Sequence, residues 1–501
     1  MSKLYIQENR PSRIYQLVAT ALITLVTSAC AVDEEDISPI HVRSVATVLG
    51  LSGDPTTDRT LPDINDPKAQ LGMKLFFTKG LSGDRDTACA SCHHPALAGD
   101  DGLSLSIGVG ADDTSLVGPG RTHPSGGPTI PRNAPTTFNS GLWDSVMYLD
   151  GRVESLDKFA NQNGDPVDTG LGIVTPDSDT DDNGNLLADP AAGDNLPSAL
   201  SRFPVTVAEV MRGFDINEFA ALGTNDEIRT AIEARLAGDP EWVAEFNAVY
   251  GDPTQITYGL IAEAIAEYER SQIFIDTPWK AFMDGDDGAI SEAARRGALL
   301  FMLPTRVNGA NCLSCHRGDF FTDERFHVLG MPQIGRGKVD GTTGTDDFGR
   351  FRVTGDDNDM YAFRTPSLLN VTETGPWGHA GAYTSLEAVI RHHLDPQAAF
   401  DAYDDLQLDV SIRDSGQTVD MPFNTQNALD KLAANRLAGI PSIENVSLTD
   451  EQVGYLVEFL KTLTDPCVTN RDCLAPWIPD SSDIDPDGER LIAVDETLTP
   501  L

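Results

Sequence analysis

Apolar residues recur at helical spacing along several stretches of the chain. Thr257 to Phe282 carries Leu260, Ile261, Ala264, Ile265 and Tyr268 on one face, which predicts a long amphipathic helix. Ser198 to Arg235 and Pro240 to Tyr250 have the same periodicity. Ser447-Leu448-Thr449-Asp450-Glu451-Gln452 reads as a helix start with capping residues, and Val453, Leu456, Val457 and Leu460 form the apolar face that follows. Two more helices are predicted to end by packing Leu and Phe inward, at Gly72-Met73-Lys74-Leu75-Phe76 and Gly297-Ala298-Leu299-Leu300-Phe301. Strand signals are few. The pattern predicts a mostly α protein with long ordered loops.

These two Leu-Phe endings belong to a repeat. Each precedes a Cys-x-x-Cys-His motif: Cys89-Ala90-Ser91-Cys92-His93 and Cys312-Leu313-Ser314-Cys315-His316. Downstream, Arg132-Asn133-Ala134-Pro135-Thr136-Thr137-Phe138-Asn139 matches Arg364-Thr365-Pro366-Ser367-Leu368-Leu369-Asn370. Asp150-Gly151 followed by Ser155-Leu156-Asp157 matches Gly381 followed by Ser385-Leu386-Glu387. The blocks keep their order, so the expected architecture is two cytochrome c-like domains related by duplication. Two thiols three positions apart can add to the two vinyl groups of one haem, and the adjacent His then reaches the iron. Zinc or a redox dithiol is the competing reading, but a four-Cys zinc site needs no His after each pair. The expected cofactors are two covalently bound haem c.

Composition narrows the partners and the compartment. The 501-residue chain has a formal net charge of −41, so no basic face is available for nucleic acid. An acidic surface can steer a basic redox partner, although solvated Asp-rich loops account for much of the charge. Arg10 and Arg13 precede an apolar run from Tyr15 to Val26 and then Thr27-Ser28-Ala29-Cys30, which reads as a signal peptide with a lipoprotein cleavage box. Lipidation of Cys30 is expected, with ordinary cleavage as the alternative, because Thr27 stands where Leu is usual. The expected location is the bacterial cell envelope: periplasm or outer membrane through a lipid anchor, with surface display as a further option. Cys467 and Cys473 remain once haem and lipid claim the other five cysteines, and are expected to form a small-loop disulfide.

The expected division of the chain is 1–29 signal peptide, 30–60 lipoprotein tether, 61–285 N-terminal haem domain with an insertion at 161–197, 286–465 C-terminal haem domain, and 466–501 disulfide loop and acidic tail. Residues 332–360 and 478–501 also read as polar insertions. Asp179 to Gly184 and Asp483 to Gly488 begin like calcium loops, but position 12 is Pro190 in one and Val494 in the other, so solvated turns are expected.

Across residues 60–465 the chain resembles the bacterial di-haem cytochrome c peroxidase family, which includes the MauG-type enzymes that oxidise tryptophan in partner proteins. The resemblance is carried by Leu71-Gly-Met-Lys-Leu-Phe-Phe77, Leu81-Ser-Gly83, Cys89 to His93, Leu105-Ser106-Ile107-Gly108, Asn133-Ala-Pro135-Thr136, Cys312 to His316, Phe320-Phe321-Thr322-Asp323, and Arg364-Thr-Pro366-Ser-Leu368-Leu-Asn370 through His379-Ala-Gly381. It implies that an N-terminal haem meets hydrogen peroxide and a C-terminal haem relays electrons, with His93 and His316 as proximal ligands. A small redox protein or an oxidised protein target is the implied partner.

The departures from the family pattern carry the finer expectations. Val109 stands where typical peroxidases place a second His, so the N-terminal iron is expected to be open, with His123 the nearby residue that could close it. The catalytic candidates are Glu209, one residue early relative to the family Glu, and Arg132. Counting from His379 puts His393 where the family has Met or Tyr, which implies bis-His ligation of the second haem. His392 is the fallback, since a helix presents only one of two neighbours. One calcium ion is implied at Asn133, Thr374 and Pro376. Leu149 replaces the usual relay Trp, leaving Trp143 and Trp377 as substitutes, and His379 is expected behind the second haem. The first functional reading is peroxide reduction. The others are MauG-like oxidation of a partner's tryptophan and a non-catalytic surface electron conduit.

Overall fold

The computed structural model describes residues 36–124, 126, 130–165, 170–214 and 216–501. The expected signal peptide and Cys30 lie outside the described residues. Helix accounts for 39% of the described residues and strand for 6%. No helix among the described residues is long and apolar enough to cross a membrane.

Each unit is built on a pair of crossed helices. In the first, α1 (Pro67–Phe77) crosses α2 (Tyr258–Arg270) at Gly72, where an added Cβ would lie 1.9 Å from the Ala264 carbonyl oxygen. In the second, α3 (Glu292–Met302) crosses α4 (Asp450–Lys461) at Gly297, where a Cβ would lie 1.8 Å from the Tyr455 oxygen. The repeated glycine is therefore the point of closest backbone approach in both units. Leu75 and Phe76 are fully buried beyond the first crossing, as are Leu299 and Phe301 beyond the second, while Leu300 is half-buried. Each crossing leads into a single 3-10 turn that opens the haem motif, Cys89–Ser91 or Cys312–Ser314.

The long helix expected over 257–282 is two helices, Tyr258–Arg270 and Pro278–Met283. The break is specified by repeat-related asparagines. Phe274 donates its N–H to Asn139 Oδ1 at 2.8 Å, and its carbonyl accepts from Asn139 Nδ2 at 3.2 Å and Asn370 Nδ2 at 3.0 Å. Residues 271–277 thus form an extended junction between the units, and Pro278 opens the next helix without losing a hydrogen bond. The helix expected over 198–235 is also divided. Leu196–Leu200 and Asn225–Ala237 are α-helical, and Ala208–Arg212 forms a π-turn between them. Pro204 and Gly213, at φ +81°, interrupt the run.

The two ends of the chain cross over. The helix Pro39–Val48, expected to lie in a tether, packs Val42 and Ala46 into the C-terminal core beside Phe301 and Phe459. Segment 466–501, expected as a disulfide loop and solvated tail, enters the N-terminal core. Val468, Leu474, Ile478, Leu491 and Ala493 pack there with Phe76 and Tyr268. Leu491 N–H donates to Phe77 O at 2.8 Å, and Asp487 accepts from Trp242 Nε1 at 2.9 Å. Local acidity hid these contacts, because the apolar residues between the Asp and Glu side chains gain burial only from a distant surface. Cys467 and Cys473 are joined by a disulfide at the start of this segment.

Candidate active site

One cavity of about 800 Å³ runs between the units and is lined by both Cys-x-x-Cys-His motifs. Cys89, Cys92, Cys312 and Cys315 are unpaired thiols. His93 Nδ1 hydrogen-bonds to Gly99 O at 3.3 Å and His316 Nδ1 to Phe321 O at 3.1 Å. These bonds orient each ring and leave Nε2 available to a metal. Burial pushes both imidazoles toward the neutral, ligating form, His316 to about 4 with help from the nearby His393. Four unpaired thiols and two oriented imidazoles on one cavity wall fit a pair of c-type haems.

At the C-terminal end, His393 on α-helix Leu386–Leu394 faces His316, with ring centroids 6.4 Å apart. Two metal–imidazole bonds of about 2.0–2.1 Å, plus about 1.1 Å from each nitrogen to its ring centre, span roughly 6.3 Å. The spacing therefore matches two imidazoles on opposite faces of one iron. His393 Nδ1 donates to Val389 O at 2.8 Å, which leaves Nε2 for a metal. His392 points elsewhere, engaged through Nδ1 with Tyr383 Oη at 2.8 Å and through Nε2 with Leu329 O at 2.9 Å. A helix turns each residue about 100°, so the neighbours face different surroundings.

The N-terminal end is different. Glu209 and Val210 both line the cavity, within the π-turn Ala208–Arg212. Arg212 N–H bonds to Val207 O at 3.0 Å and Gly213 N–H to Ala208 O at 3.0 Å, a wider turn than an α-helix makes. Glu209 forms an ion pair with Arg336. Val109 is buried but lies off the cavity wall, and the nearby Ser106 is on it. His123 is half-buried beside Gly110 and does not line the cavity. Among the described residues, the other histidines of the wall are His316, His327, His379 and His393, all from the C-terminal unit.

Arg132 is on the wall, but its guanidinium is committed. It bonds to Asp347 at 2.6 and 2.8 Å and to Asp150 at 2.7 Å. Burial raises the Asp347 carboxyl, yet the Arg132 charge more than offsets it and holds it down to about 2. Arg132 thus ties segment 332–360 to the N-terminal unit, a different role from the catalytic one expected of it. That segment, expected as a polar insertion, is part of the interface between the units.

Asn133, Thr374 and Pro376 share the cavity wall. Asn133 N–H donates to His379 O at 3.0 Å, and its amide nitrogen to Leu103 O at 2.9 Å. Trp143 is buried with the Arg364 guanidinium 3.5 Å over its ring and the Phe320 ring 4.9 Å away. Trp377 lines the same cavity and donates its indole N–H to Val371 O at 3.0 Å. His379 stacks on Phe363 at 4.0 Å.

Glu269 was missed in the sequence, although it falls four residues after Ile265 on the inward face of its helix. It is buried and lines the cavity, and no hydrogen bond or ion pair from a described residue acts on its carboxyl. Its ionisable neighbours are Cys89, Tyr148 and Tyr268. Burial pushes its carboxyl up to about 8 from 4.5. The unfolded chain therefore loses this proton first, and stability falls as pH rises from 4.5 toward about 8. Glu269→Gln is expected to flatten that fall, whose ceiling is about 1.4 kcal/mol per pH unit. Unfolding temperatures of the haem-loaded protein between about pH 5 and 9 check this, and identical slopes for both proteins would refute it.

Comparison with known proteins identifies the family. The family model described as di-haem cytochrome c peroxidase matches residues 66–288. Cytochrome-c peroxidase IdrP1 of Denitromonas iodatirespirans is 30% identical over 346 residues, covering 64% of this chain and 71% of that protein. Methylamine utilization protein MauG of Methylorubrum extorquens is 27% identical over 330 residues, covering 65% of this chain and 68% of that protein. In fold, the chain resembles a MauG-like protein associated with microbial copper homeostasis, with a TM-score of 0.54 and 22% identity over 85% of this chain and 98% of that one. The chain belongs to the di-haem cytochrome c peroxidase and MauG family, and is an oxidoreductase of two haems c.

Proposed function

We propose that this protein reduces hydrogen peroxide at the N-terminal haem, held by Cys89, Cys92 and His93, with electrons relayed through the C-terminal haem, held by Cys312, Cys315, His316 and His393. The observation that carries this reading is the asymmetry of the cavity: a carboxylate at one end and a facing imidazole pair at the other. A haem with one protein ligand supplies an open coordination position and one-electron chemistry. Glu209 accepts a proton from the nearer peroxide oxygen and returns it to the departing one. With two electrons and two protons, one peroxide yields two waters. His393 closes the far face of the second site, which reserves it for electron transfer. Trp143 and Trp377 line the path between the ends. Asn133, Thr374 and Pro376 offer oxygen donors of the kind a calcium ion prefers. On this reading the protein works in the bacterial cell envelope, exported by residues 1–29 and anchored through Cys30.

EPR and optical spectra of the resting ferric protein test the proposal, together with turnover of peroxide and reduced cytochrome c. One exchangeable high-spin site and one bis-imidazole low-spin site are expected, and a purely low-spin spectrum would sink the open-site reading. The second reading is peroxide-driven oxidation of a tryptophan in a partner protein. It is favoured by the His316–His393 pair, because imidazole in place of thioether lowers the potential and stabilises oxidised states. Absence of steady turnover with reduced cytochrome c would select it.

A further inference from the structure

We infer that the C-terminal unit supplies a positioning residue to the peroxide end of the cavity: Arg336, acting through its ion pair with Glu209. The inference rests on the reading of Glu209 as the proton-transfer group. The two residues are 127 positions apart and belong to different units. Glu209 faces the cavity and Arg336 does not line it, so the guanidinium holds the carboxylate from behind. Arg336 Nε is buried and has no hydrogen-bond partner among the described residues, so the guanidinium keeps a further donor uncommitted.

The backbone that presents Arg336 is itself fixed. Gly335 has φ +87°, and a Cβ there would lie 2.5 Å from Leu105 Cδ1 of the N-terminal unit. Its N–H donates to Gln417 O at 2.8 Å. Two residues beyond Arg336, Lys338 N–H donates to Asp346 O at 2.8 Å, and the next residue, Asp347, grips Arg132. The seating of one unit on the other thus sets where the guanidinium stands. A glutamate has three rotatable side-chain bonds, and proton transfer needs its oxygen within hydrogen-bond reach of the peroxide. A cation held by the opposite unit selects the productive rotamer.

The haem-loaded protein and its Arg336→Ala, Arg336→Lys, Glu209→Gln and Arg336→Ala/Glu209→Gln variants test this. Two quantities are read across pH: the second-order rate with peroxide, and the affinity of the ferric protein for cyanide. Cyanide, like peroxide, enters as a weak acid that must give up its proton on binding, so it reports the local base without turnover. Arg336→Ala is expected to lower both by about tenfold or more, with partial recovery in Arg336→Lys, and to add nothing in the Glu209→Gln background. If Arg336→Ala matches the wild type while Glu209→Gln is slow, the pair is an ordinary surface ion pair and the inference fails alone. An equal additional loss in the Glu209→Gln background also overturns it, because Arg336 then acts independently. If Glu209→Gln is unchanged in both readouts, the reading of Glu209 falls and the inference with it.

Discussion

Glu209→Gln is expected to slow the reaction of the ferric protein with hydrogen peroxide by roughly 10²–10⁴-fold, the weight of a positioned proton-transfer group. Glutamine keeps the size and polarity of the side chain but cannot accept and return the proton. The substitution should leave haem attachment intact, because Glu209 touches neither Cys-x-x-Cys-His motif's thiols nor the Nδ1 bonds of His93 and His316. Stopped-flow mixing with peroxide gives the rate, and the absorbance of the purified protein gives the haem content. The same rate with and without the carboxylate would remove Glu209 from the chemistry. Val210 is the informative control. It shares the cavity wall and stands where the family pattern places the Glu, so Val210→Ala should change the rate far less.

His393→Ala is expected to abolish the bis-imidazole low-spin signal of the C-terminal haem and leave a site that binds added imidazole. The 6.4 Å separation of the His316 and His393 rings leaves room for an iron and little else. Removing one ring opens that face, and free imidazole should restore the original spectrum. The reduction potential should rise, since a strong nitrogen donor has been lost. His392→Ala should leave the low-spin signal in place. Its cost falls on stability, because a buried imidazole with bonds to Tyr383 and Leu329 is replaced by a cavity and unpartnered groups. An unchanged low-spin spectrum in His393→Ala would refute ligation by His393.

Much of this arrangement was legible in the chain because it is local. The Cys-x-x-Cys-His spacing is a property of five consecutive residues, and the repeated blocks align by order alone. Pro240 to Tyr250 is helical as its periodicity requires, and the capped start at Thr449 opens the last helix of the second unit. The helix across 271–277 failed for a non-local reason. Asn139 and Asn370, each more than ninety positions from Phe274, compete for its backbone and win.

The sequence by itself determined the family, the mostly helical class and the two haems with their Cys-x-x-Cys-His motifs, since these depend on periodicity and short motifs whose spacing is chemistry. Only the tertiary structure decided how those residues are used. It turned His393 toward His316 and His392 toward Tyr383, because helix packing selects one side of a helix for each neighbour. It converted Arg132 from a catalytic candidate into a bridge held by Asp347. It brought Arg336 to Glu209 and drew the acidic end of the chain into the opposite core. Each of these is a contact between distant residues, whose energy comes from burial and charge pairing that no local stretch of the chain contains.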